Sequence, residues 1–445
     1  MTPISAFDLW HLFAAARERG REQWKTPARI ADLRARRLQR LAAAARRTPY
    51  YDDLFQHAGV TPGTLTEESL QQLPVLEKAA LHPSVSAQTL TETEDKLFPV
   101  TTSGSTGTPL QVFRSSRDQA EVSALWARIF KAYGHGFRDS QFNINTGGTV
   151  ARKGPVASLR KLGILPRLHQ ISSFASVDEH VQLLRRTKPS MFSSYAISLE
   201  LIAERVLEAG ITDIRPRIIY SCAMPLSERG RKLVEEAFGV APLDVYVSAE
   251  LGPLAWECDD SRGVWHINDD VQIIEILDPQ DRRLPDGEVG QVVVTQLNCS
   301  AQPLIRYRVG DLAARLPARC SCGRGLGLLS SVQGRTRHVI HMPDGRVLHG
   351  TVLSTVLKVF PEVARWQARQ TAPDELCILV VPTRHWSDAS AGAIIGKLSE
   401  KLGSGVRYQV EPVDNIPLSP AGKFQTIVPF DPSASEPISP ASESG

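Results

Sequence analysis

The most informative stretch of this sequence is Val100-Thr101-Thr102-Ser103-Gly104-Ser105-Thr106-Gly107-Thr108-Pro109. Six hydroxyl side chains and two glycines occupy eight of these ten positions. Glycine allows backbone conformations that bring N–H groups close to an anion, and the hydroxyls add further hydrogen-bond donors. The pattern predicts a loop that binds the phosphates of a nucleotide, although it is not the Walker pattern of P-loop enzymes. A flexible linker rich in Ser, Thr and Gly is the alternative.

The segments on both sides of this loop favour phosphate binding over a linker. Leu97-Phe98-Pro99-Val100 and Leu110-Gln111-Val112-Phe113 are both typical of strands. Farther along, short β-branched runs alternate with helical patterns: strands are predicted at 217–220, 243–246 and 291–294, and helices at 177–186, 197–209 and 226–238. Such alternation predicts an α/β fold with mostly parallel sheets.

Length and composition exclude several classes of protein. The chain has 445 residues, too many for one compact core, and its formal net charge of +3 does not indicate a nucleic-acid binder. The sequence has no stretch of about 18 apolar residues, so no membrane span is predicted. Residues 1–12 make a poor signal peptide, so a cytoplasmic location is expected. The six cysteines are placed irregularly and do not suggest a disulfide framework.

Changes in pattern along the chain predict its domain organisation. Residues 1–98 are expected to form a helical segment and connector, 99–334 the nucleotide- and acid-binding core, 335–430 a small C-terminal domain, and 431–445 a disordered tail. Short strands and turns at 270–316 predict a small β subdomain. The expected fold is therefore α/β, with a large N-terminal domain of mostly parallel sheets plus this β subdomain, and a smaller, mobile α+β C-terminal domain.

Four further motifs follow the loop: Tyr246-Val247-Ser248-Ala249-Glu250, Arg306-Tyr307-Arg308-Val309-Gly310-Asp311, Gly334-Arg335 and Ser419-Pro420-Ala421-Gly422-Lys423. With the loop, they resemble in content and order the signatures of the adenylate-forming enzymes, the superfamily of acyl-CoA synthetases, adenylation domains and luciferases. Within it, Thr48–Phe55, Leu73–Lys78 and Trp366–Gln370 are similar to the phenylacetate-CoA ligase-like group, including its capsular-polysaccharide-type branch. The resemblance implies adenylation of a carboxylic acid by ATP with release of pyrophosphate.

The resemblance also implies a nucleotide site. Glu250 is the candidate Mg²⁺ ligand, since a hard cation prefers carboxylate oxygens; a carboxylate at a helix N-terminus is the alternative. Asp311 would accept hydrogen bonds from the ribose hydroxyls, unless it only stabilises a turn. Tyr246 would stack on adenine, pack in the core, or do both. The candidate nucleotide-binding residues are Thr101, Thr102, Ser103, Gly104, Ser105, Thr106, Gly107, Ser221, Ala223, Tyr246, Ser248 and Asp311.

Two further catalytic residues join Glu250 through the resemblance. Lys423 would neutralise charge during adenylation and leave when the small domain rotates, whereas the alternative is an ordinary surface lysine. Arg335 would touch ribose or phosphate near the hinge. The group usually carries Asp soon after Gly-Arg, but this chain has Thr336-Arg337-His338. The departure implies that a different residue acts as the pivot of the small domain or that the second half-reaction is altered.

The acid and its acceptor are the least determined parts of the reaction. Tyr195, Asn145 and Ala249 are the candidate acid-binding residues, and the polar content of their segments suits a compact, polar-substituted ring. The leading hypothesis is thioester formation with CoA, while transfer to an amine or to a carrier-protein thiol stays open. A homodimer also stays open. A non-catalytic nucleotide sensor is disfavoured because it has little need for Lys423.

Three cysteines and a histidine form a candidate zinc site. Cys320 and Cys322 belong to a Gly-rich turn, and Cys258 and His266 lie upstream. Three thiolates and an imidazole would satisfy tetrahedral zinc, although free thiols in a reducing cytosol are the alternative. Members of the resembled group carry a structural metal at matching positions. Such a site would join a loop of the 250s near Glu250 to a loop of the 320s.

Overall fold

The computed structural model divides into two compact units, Met1–Gln333 and Gly334–Gly445. It describes residues 6–81, 88–91, 95–101, 111–136, 139–145, 167–173, 175–222, 226–330, 332, 339–343, 347–349, 353, 356–357, 359–372, 374–403, 405–417, 425–428 and 430. The predicted tail, 431–445, lies outside the described residues.

The first unit begins with three helices, which lie within the helical segment and connector expected at residues 1–98. Thr26 and Thr48 cap the second and third helices, where their hydroxyls accept hydrogen bonds from backbone N–H groups and a proline follows each cap. The described helices of this unit are α1 (Ala6–Glu22), α2 (Pro27–Ala45), α3 (Pro49–His57), α4 (Ser116–Ala132), α5 (Val177–Thr187), α6 (Ala196–Glu208) and α7 (Glu228–Phe238). Short 3₁₀ turns at Pro62–Thr64, Ser69–Gln72 and Lys78–Leu81 follow α3. None of the described helices is long and apolar enough to cross a membrane.

The described strands of the first unit are β1 (Phe98–Thr101), β2 (Gln111–Arg114), β3 (Gln141–Asn145), β4 (Leu168–Ser172), β5 (Met191–Tyr195), β6 (Ile218–Cys222), β7 (Leu243–Ser248), β8 (Gly252–Cys258), β9 (Ser261–Ile267), β10 (Gln272–Leu277), β11 (Gly290–Gln296), β12 (Tyr307–Ala313), β13 (Arg315–Leu316) and β14 (Leu328–Leu329). Among described residues, one sheet has the order β13-β14-β9-β8-β7-β6-β5-β3-β4. The pairs from β4 through β3, β5 and β6 to β7 are parallel, and those from β7 to β13 are antiparallel.

Apolar side chains of the parallel strands pack against the helices that connect them. Phe192 of β5 and Ile219 of β6 lie in one buried cluster with Leu199 of α6 and Val234 of α7. Parallel strands are covered in this way because their crossover helices lie on the faces of the sheet. The predicted α/β fold class is confirmed, with its parallel part between β4 and β7.

The antiparallel half of the sheet contains a hairpin where a loop was expected. Cys258 is the last residue of β8, and His266 lies on the paired strand β9. All seven residues of β8 are buried, so the strand lacks the alternation of apolar and polar residues that reveals a half-exposed strand. The expected loop of the 250s is therefore wrong.

The region around 270–316 forms an antiparallel three-stranded sheet among the described residues, in the order β10-β11-β12. Near it, the side chains of Arg128 on α4 and Asp270 in the turn before β10 form an ion pair with N and O 2.5 Å apart. Both side chains are 0% exposed, and Arg128 Nη1 also donates to Asn268. This buried pair fastens α4 to the start of the small sheet.

The second unit contains a β-hairpin and a larger sheet with one helix described. The hairpin pairs β15 (Val339–His341) with β16 (Val347–His349). The larger sheet has the order β19 (Arg407–Pro412), β18 (Glu375–Pro382), β17 (Val363–Ala372) and β20 (Ile427–Val428). Helix α8 (Asp388–Leu402) contributes Ile394 and Leu398 to a core shared with Ile378 of β18. This arrangement is the α+β unit that the sequence predicts.

Candidate active site

The carboxyl ends of four parallel strands meet at one edge of the large sheet. β3 ends at Asn145, β5 at Tyr195, β6 at Cys222 and β7 at Ser248. Tyr195 is paired with Cys222 in the register of β5 and β6. Ligands of open α/β sheets bind outside the carboxyl ends of the strands. This edge therefore carries the candidate site.

Glu250 lies in the turn from β7 to β8, so its alternative assignment at a helix N-terminus is wrong. Ser248 Oγ donates to Glu250 Oε2 at 2.6 Å, and the Tyr307 hydroxyl donates to Oε1 at 3.2 Å. The Lys78 ammonium also lies 3.2 Å from Oε1. Burial alone raises the pKa of Glu250, but the hydrogen bond from Ser248 and the charge of Lys78 outweigh it and leave the pKa below its ordinary value. The carboxylate is therefore ionised at neutral pH, as a metal ligand must be.

Tyr246 and Asp311 form a second polar pair beside Glu250. The Tyr246 hydroxyl donates to Asp311 Oδ2 at 2.8 Å, joining β7 to β12. Tyr246 is also buried, with its ring centroid 6.3 Å from that of Trp265, so core packing is part of its role. Gly310 has φ +88°, a conformation that residues with a Cβ rarely adopt, and it sets the direction of the chain at Asp311.

The hydroxyl of Ser221 points toward an acidic neighbour that the sequence did not reveal. Ser221 Oγ donates to Asp244 Oδ1, and Arg231 is ion-paired with Asp244 Oδ2. The Asp244 N–H donates to Glu257 Oε2 at 2.9 Å. Burial raises the pKa of Asp244 to about 6, with Arg231 opposing it. Asp244 thus holds the end of β6, which carries the candidate nucleotide-binding residue Ser221.

The predicted phosphate loop joins two paired strands whose ends are fixed. Thr101, the last residue of β1, is paired with Gln111, the first residue of β2. Arg114 Nη2 donates to the carbonyls of Ala249 and Glu250, each at 2.9 Å. The hairpin that carries the loop is therefore attached to the turn that carries Glu250.

Several predicted site residues lie outside the described part of the chain. They are Thr102, Ser103, Gly104, Ser105, Thr106, Gly107, Ala223, Arg335 and Lys423. The hinge residues Thr336, Arg337 and His338 lie outside it too. Their roles stay predictions.

The candidate acid-binding residues lie around the same strand ends. Asn145 and Tyr195 are half-buried, and the Ala249 carbonyl accepts the hydrogen bond from Arg114. Ser193 Oγ donates to Asn143 Oδ1 at 2.8 Å. These two residues precede Tyr195 and Asn145 by two positions on β5 and β3. The ends of β3 and β5 therefore carry polar groups at the edge of the sheet where the candidate site lies.

Lys78 is a site residue that sequence reasoning missed. Leu73–Lys78 contributed only to the resemblance, and no role followed for the lysine. Lys78 and Glu250 are separated by 172 positions, so spacing carries no signal of their contact. Its place in a segment typical of the resembled group was the only available indication.

The four candidate zinc ligands come together in the structure. One ligand atom from each of Cys258, His266, Cys320 and Cys322 lies within 4.8 Å of all the others. The sulfurs of Cys320 and Cys258 are 3.6 Å apart, and Cys322 Sγ is 3.2 Å from His266 Nε2. Zinc bond lengths in tetrahedral geometry place two sulfurs about 3.8 Å apart, and sulfur and nitrogen about 3.6 Å apart. The donor set thus fits a zinc ion in both chemistry and spacing.

The imidazole of this cluster is in the form that binds metals. Burial, with a smaller contribution from Arg324, lowers the pKa of His266 to about 4. His266 is therefore neutral at physiological pH, as a ligand must be. β8 and β9 carry two of the four ligands, and the turn at 320–322 carries the others.

Comparison with known proteins identifies relatives over most of the chain. Residues 340–429 match the family described as the CapK C-terminal domain. Phenylacetate-coenzyme A ligase of Thermus thermophilus is 26% identical over 439 residues, covering 89% of this chain and 95% of the relative. Protein CapK of Staphylococcus aureus is 24% identical over 391 residues, covering 84% of this chain and 83% of the relative.

A solved structure shares the fold. It is 2-hydroxyisobutyryl-CoA ligase in the postadenylation state, with a TM-score of 0.78, 21% identity, and coverage of 93% of this chain and 92% of that chain. At this identity, the likeness establishes the fold alone. The matches to both kinds of relative and the shared fold agree with the order of the motifs. Over most of its length, the chain is therefore similar to phenylacetate-coenzyme A ligase and to protein CapK, and it shares the fold of 2-hydroxyisobutyryl-CoA ligase.

Proposed function

We propose that this protein is an AMP-forming ligase that adenylates a small, aromatic carboxylic acid with ATP and then forms a thioester with CoA. The relatives named phenylacetate-coenzyme A ligase support this reaction class. One structural observation carries the proposal: side chains of β7 and β12 together hold the carboxylates of Glu250 and Asp311. Ser248 and Tyr307 hold Glu250, while Tyr246 holds Asp311, itself on β12.

The two carboxylates have different tasks in the proposed reaction. Glu250 would hold Mg²⁺, which neutralises charge on the phosphates. Asp311 would accept hydrogen bonds from the ribose hydroxyls, and the Tyr246 hydroxyl would keep its carboxylate in place. An oxygen of the acid forms a bond to the α-phosphorus, and the bond from that phosphorus to pyrophosphate breaks. Charge builds on the phosphate oxygens, so positioning and electrostatic stabilisation do most of the catalysis.

The remaining proposed roles follow the resemblance. Lys423 neutralises charge during adenylation and Arg335 contacts ribose or phosphate. The hydroxyl-rich loop binds the β- and γ-phosphates; the contact of Arg114, on the strand that follows the loop, with the Glu250 turn supports this. Asn145, Tyr195 and Ala249 line the acid pocket. A cytoplasmic location and a homodimer stay predictions.

We also propose that Cys258, His266, Cys320 and Cys322 hold a structural zinc ion. The distances within the cluster and the neutral imidazole support it. Zinc would fasten the β8–β9 hairpin to the turn at 320–322. Protein purified without added metal should contain about one zinc ion per chain by mass spectrometry, and Cys320→Ser should lose it while Cys299→Ser, a buried cysteine outside the cluster, keeps it. Equal metal content in both variants would exclude the site.

Carboxylate-dependent release of pyrophosphate tests the proposed function. A panel of aromatic and aliphatic acids is assayed with ATP and Mg²⁺, with and without CoA. We expect release with a subset of small ring acids and an acyl-CoA product when CoA is present. Glu250→Gln should abolish release, whereas Glu235→Gln, which neutralises an exposed carboxylate on α7, should not.

Each other outcome selects another function. Turnover to an amide without CoA would establish the amine acceptor, and labelling of a carrier protein would establish the carrier thiol. Binding of ATP without pyrophosphate release from any acid would favour the nucleotide sensor and exclude the ligase.

A further inference from the structure

We propose that Lys78 is a catalytic lysine of the adenylation step, which rests on the proposed function. In the free enzyme its ammonium neutralises Glu250. With ATP bound, Lys78 binds oxygens of the β- and γ-phosphates and stabilises the charge of the departing pyrophosphate, while Glu250 would hold Mg²⁺.

The backbone before Lys78 is fixed to the strand that carries Asp311. The Leu76 N–H donates to the Arg306 carbonyl at 2.8 Å, and the Arg308 N–H donates to the Leu76 carbonyl at 3.1 Å. Glu77 adds an ion pair with Arg308, with N and O 2.6 Å apart. Lys78 then opens the 3₁₀ turn Lys78–Leu81. Its position beside Glu250 is therefore built by the same chain segment that builds the ribose site.

The side chain of Lys78 lies where it could leave Glu250 and bind phosphate oxygens of a nucleotide. Its Nζ is 3.2 Å from Glu250 Oε1, with 27% of the lysine side chain and 10% of the glutamate side chain exposed. A divalent cation held by Glu250 would repel the ammonium of Lys78. The flexible four-carbon stem of lysine allows the ammonium to move while the backbone stays fixed. The phosphate oxygens of a bound nucleotide would then offer the ammonium another anionic partner.

The predicted phosphate loop is attached to the same place. Arg114, at the end of β2, holds the carbonyls of Ala249 and Glu250. Val112 of β2 shares a buried cluster with Leu76, from the segment before Lys78. The hairpin of the loop, the Glu250 turn and the Lys78 segment thus pack as one structure. Lysine is a frequent phosphate ligand that acts as a point charge.

The proposed role is electrostatic and moves no proton. During adenylation a carboxylate oxygen of the acid bonds to the α-phosphorus, and the electron pair of the breaking bond leaves with pyrophosphate. Lys78 faces the charge that develops on the leaving group. The second step, attack of the CoA thiol on the acyl adenylate, releases AMP and does not involve pyrophosphate. Lys78 should therefore act on the first step alone.

The two steps can be assayed separately in Lys78→Met, which removes the charge and keeps an apolar stem, and in Lys78→Ala and Lys78→Arg. Lys131→Ala, at an exposed lysine of α4, is the control. We expect kcat of pyrophosphate release to fall about 100-fold in Lys78→Met and Lys78→Ala, the usual effect of removing one group that stabilises transition-state charge. Lys78→Arg should keep activity within about 10-fold of the wild type because the charge is retained.

Two further measurements separate this role from a structural one. Thioester formation from supplied acyl adenylate should stay within about 3-fold of the wild type in every variant, since no pyrophosphate leaves in that step. Calorimetric titration with pyrophosphate and Mg²⁺ should show about 10-fold weaker binding to Lys78→Met, and unchanged binding to Lys131→Ala.

Wild-type rates of pyrophosphate release in Lys78→Met would overturn the inference. So would equal losses in both steps together with a lowered melting temperature, because that pattern marks a structural ion pair. If the wild type itself releases no pyrophosphate with any acid, the proposed function fails, and the role of Lys78 fails with it. Failure of Lys78 alone leaves the wild-type activity intact, so the two results are distinguishable.

Discussion

Removing the hydroxyl of Tyr246 should weaken ATP binding without disturbing the fold. Tyr246→Phe deletes one oxygen and keeps the ring that packs near Trp265. The lost contact is the hydrogen bond to Asp311 Oδ2, with the two oxygens 2.8 Å apart. The variant therefore separates the polar task of Tyr246 from its packing task, which the sequence could not do.

The structure sets the size of the expected effect. A hydrogen bond to a charged group contributes about 1.5–3 kcal/mol. Asp311 is half-buried, so water replaces part of the lost bond and about 1–2 kcal/mol should remain. A factor of ten corresponds to 1.4 kcal/mol, so KM for ATP should rise about 5- to 30-fold. The rate constant kcat should change little, because ribose binding is the same in the ground and transition states.

Steady-state pyrophosphate release over a range of ATP concentrations measures both parameters. Assays with 2′-deoxy-ATP add a second test, because the variant should discriminate less than the wild type against a missing ribose hydroxyl. Tyr51→Phe is the matched control, since its buried hydroxyl donates to the Pro303 carbonyl at 2.8 Å. It should lose about 1–3 kcal/mol of stability and keep the wild-type KM for ATP.

A Tyr246→Phe enzyme with wild-type KM and wild-type discrimination against 2′-deoxy-ATP would refute this reasoning. Asp311 would then be held without Tyr246, or would not bind ribose. An equal rise of KM in Tyr51→Phe would show that loss of stability, and not the hydrogen bond to Asp311, causes the effect.

Three further perturbations test the framework around the site. Arg128→Met leaves the Asp270 carboxylate buried without its main partner and should lower the free energy of unfolding in urea by about 3–5 kcal/mol. The control Arg185→Met breaks an exposed ion pair and should lower it by less than about 1 kcal/mol. Similar losses of stability in the two variants would contradict this prediction. Burial raises the pKa of Asp244 from 3.8 to about 6. Between these two pH values, the folded protein therefore keeps a proton on Asp244 that the unfolded chain has lost. The free energy of unfolding should therefore fall by up to about 3 kcal/mol as the pH rises from 4 to 6, and Asp244→Asn should remove this fall in denaturation curves; an identical pH dependence would count against it. Gly310→Ala places a Cβ at φ +88°, so it should lose about 1–3 kcal/mol of stability and raise KM for ATP; an unchanged melting temperature would exclude the strain.

Local chemistry explains why much of the fold could be predicted from the sequence. Thr26 and Thr48 mark helix starts because a hydroxyl cap and a following proline act within one turn. The strands β6 and β7 are visible as short β-branched runs. The hairpin β8–β9 was missed because complete burial removes the alternating pattern, and only pairing within the sheet reveals it.

The sequence by itself determined the order of the motifs, the candidate residues for phosphate, Mg²⁺ and ribose binding, and the four candidate zinc ligands. These are properties of residue type and short spacing. Only the tertiary structure decided that Lys78 faces Glu250, that Tyr246 holds Asp311 and that Asp244 holds Ser221. Such contacts join residues that are far apart in the chain or on different strands. Their partners are fixed by the register of β6 and β7, by the contact of β7 with β12 of the small sheet, and by burial, which no local pattern records.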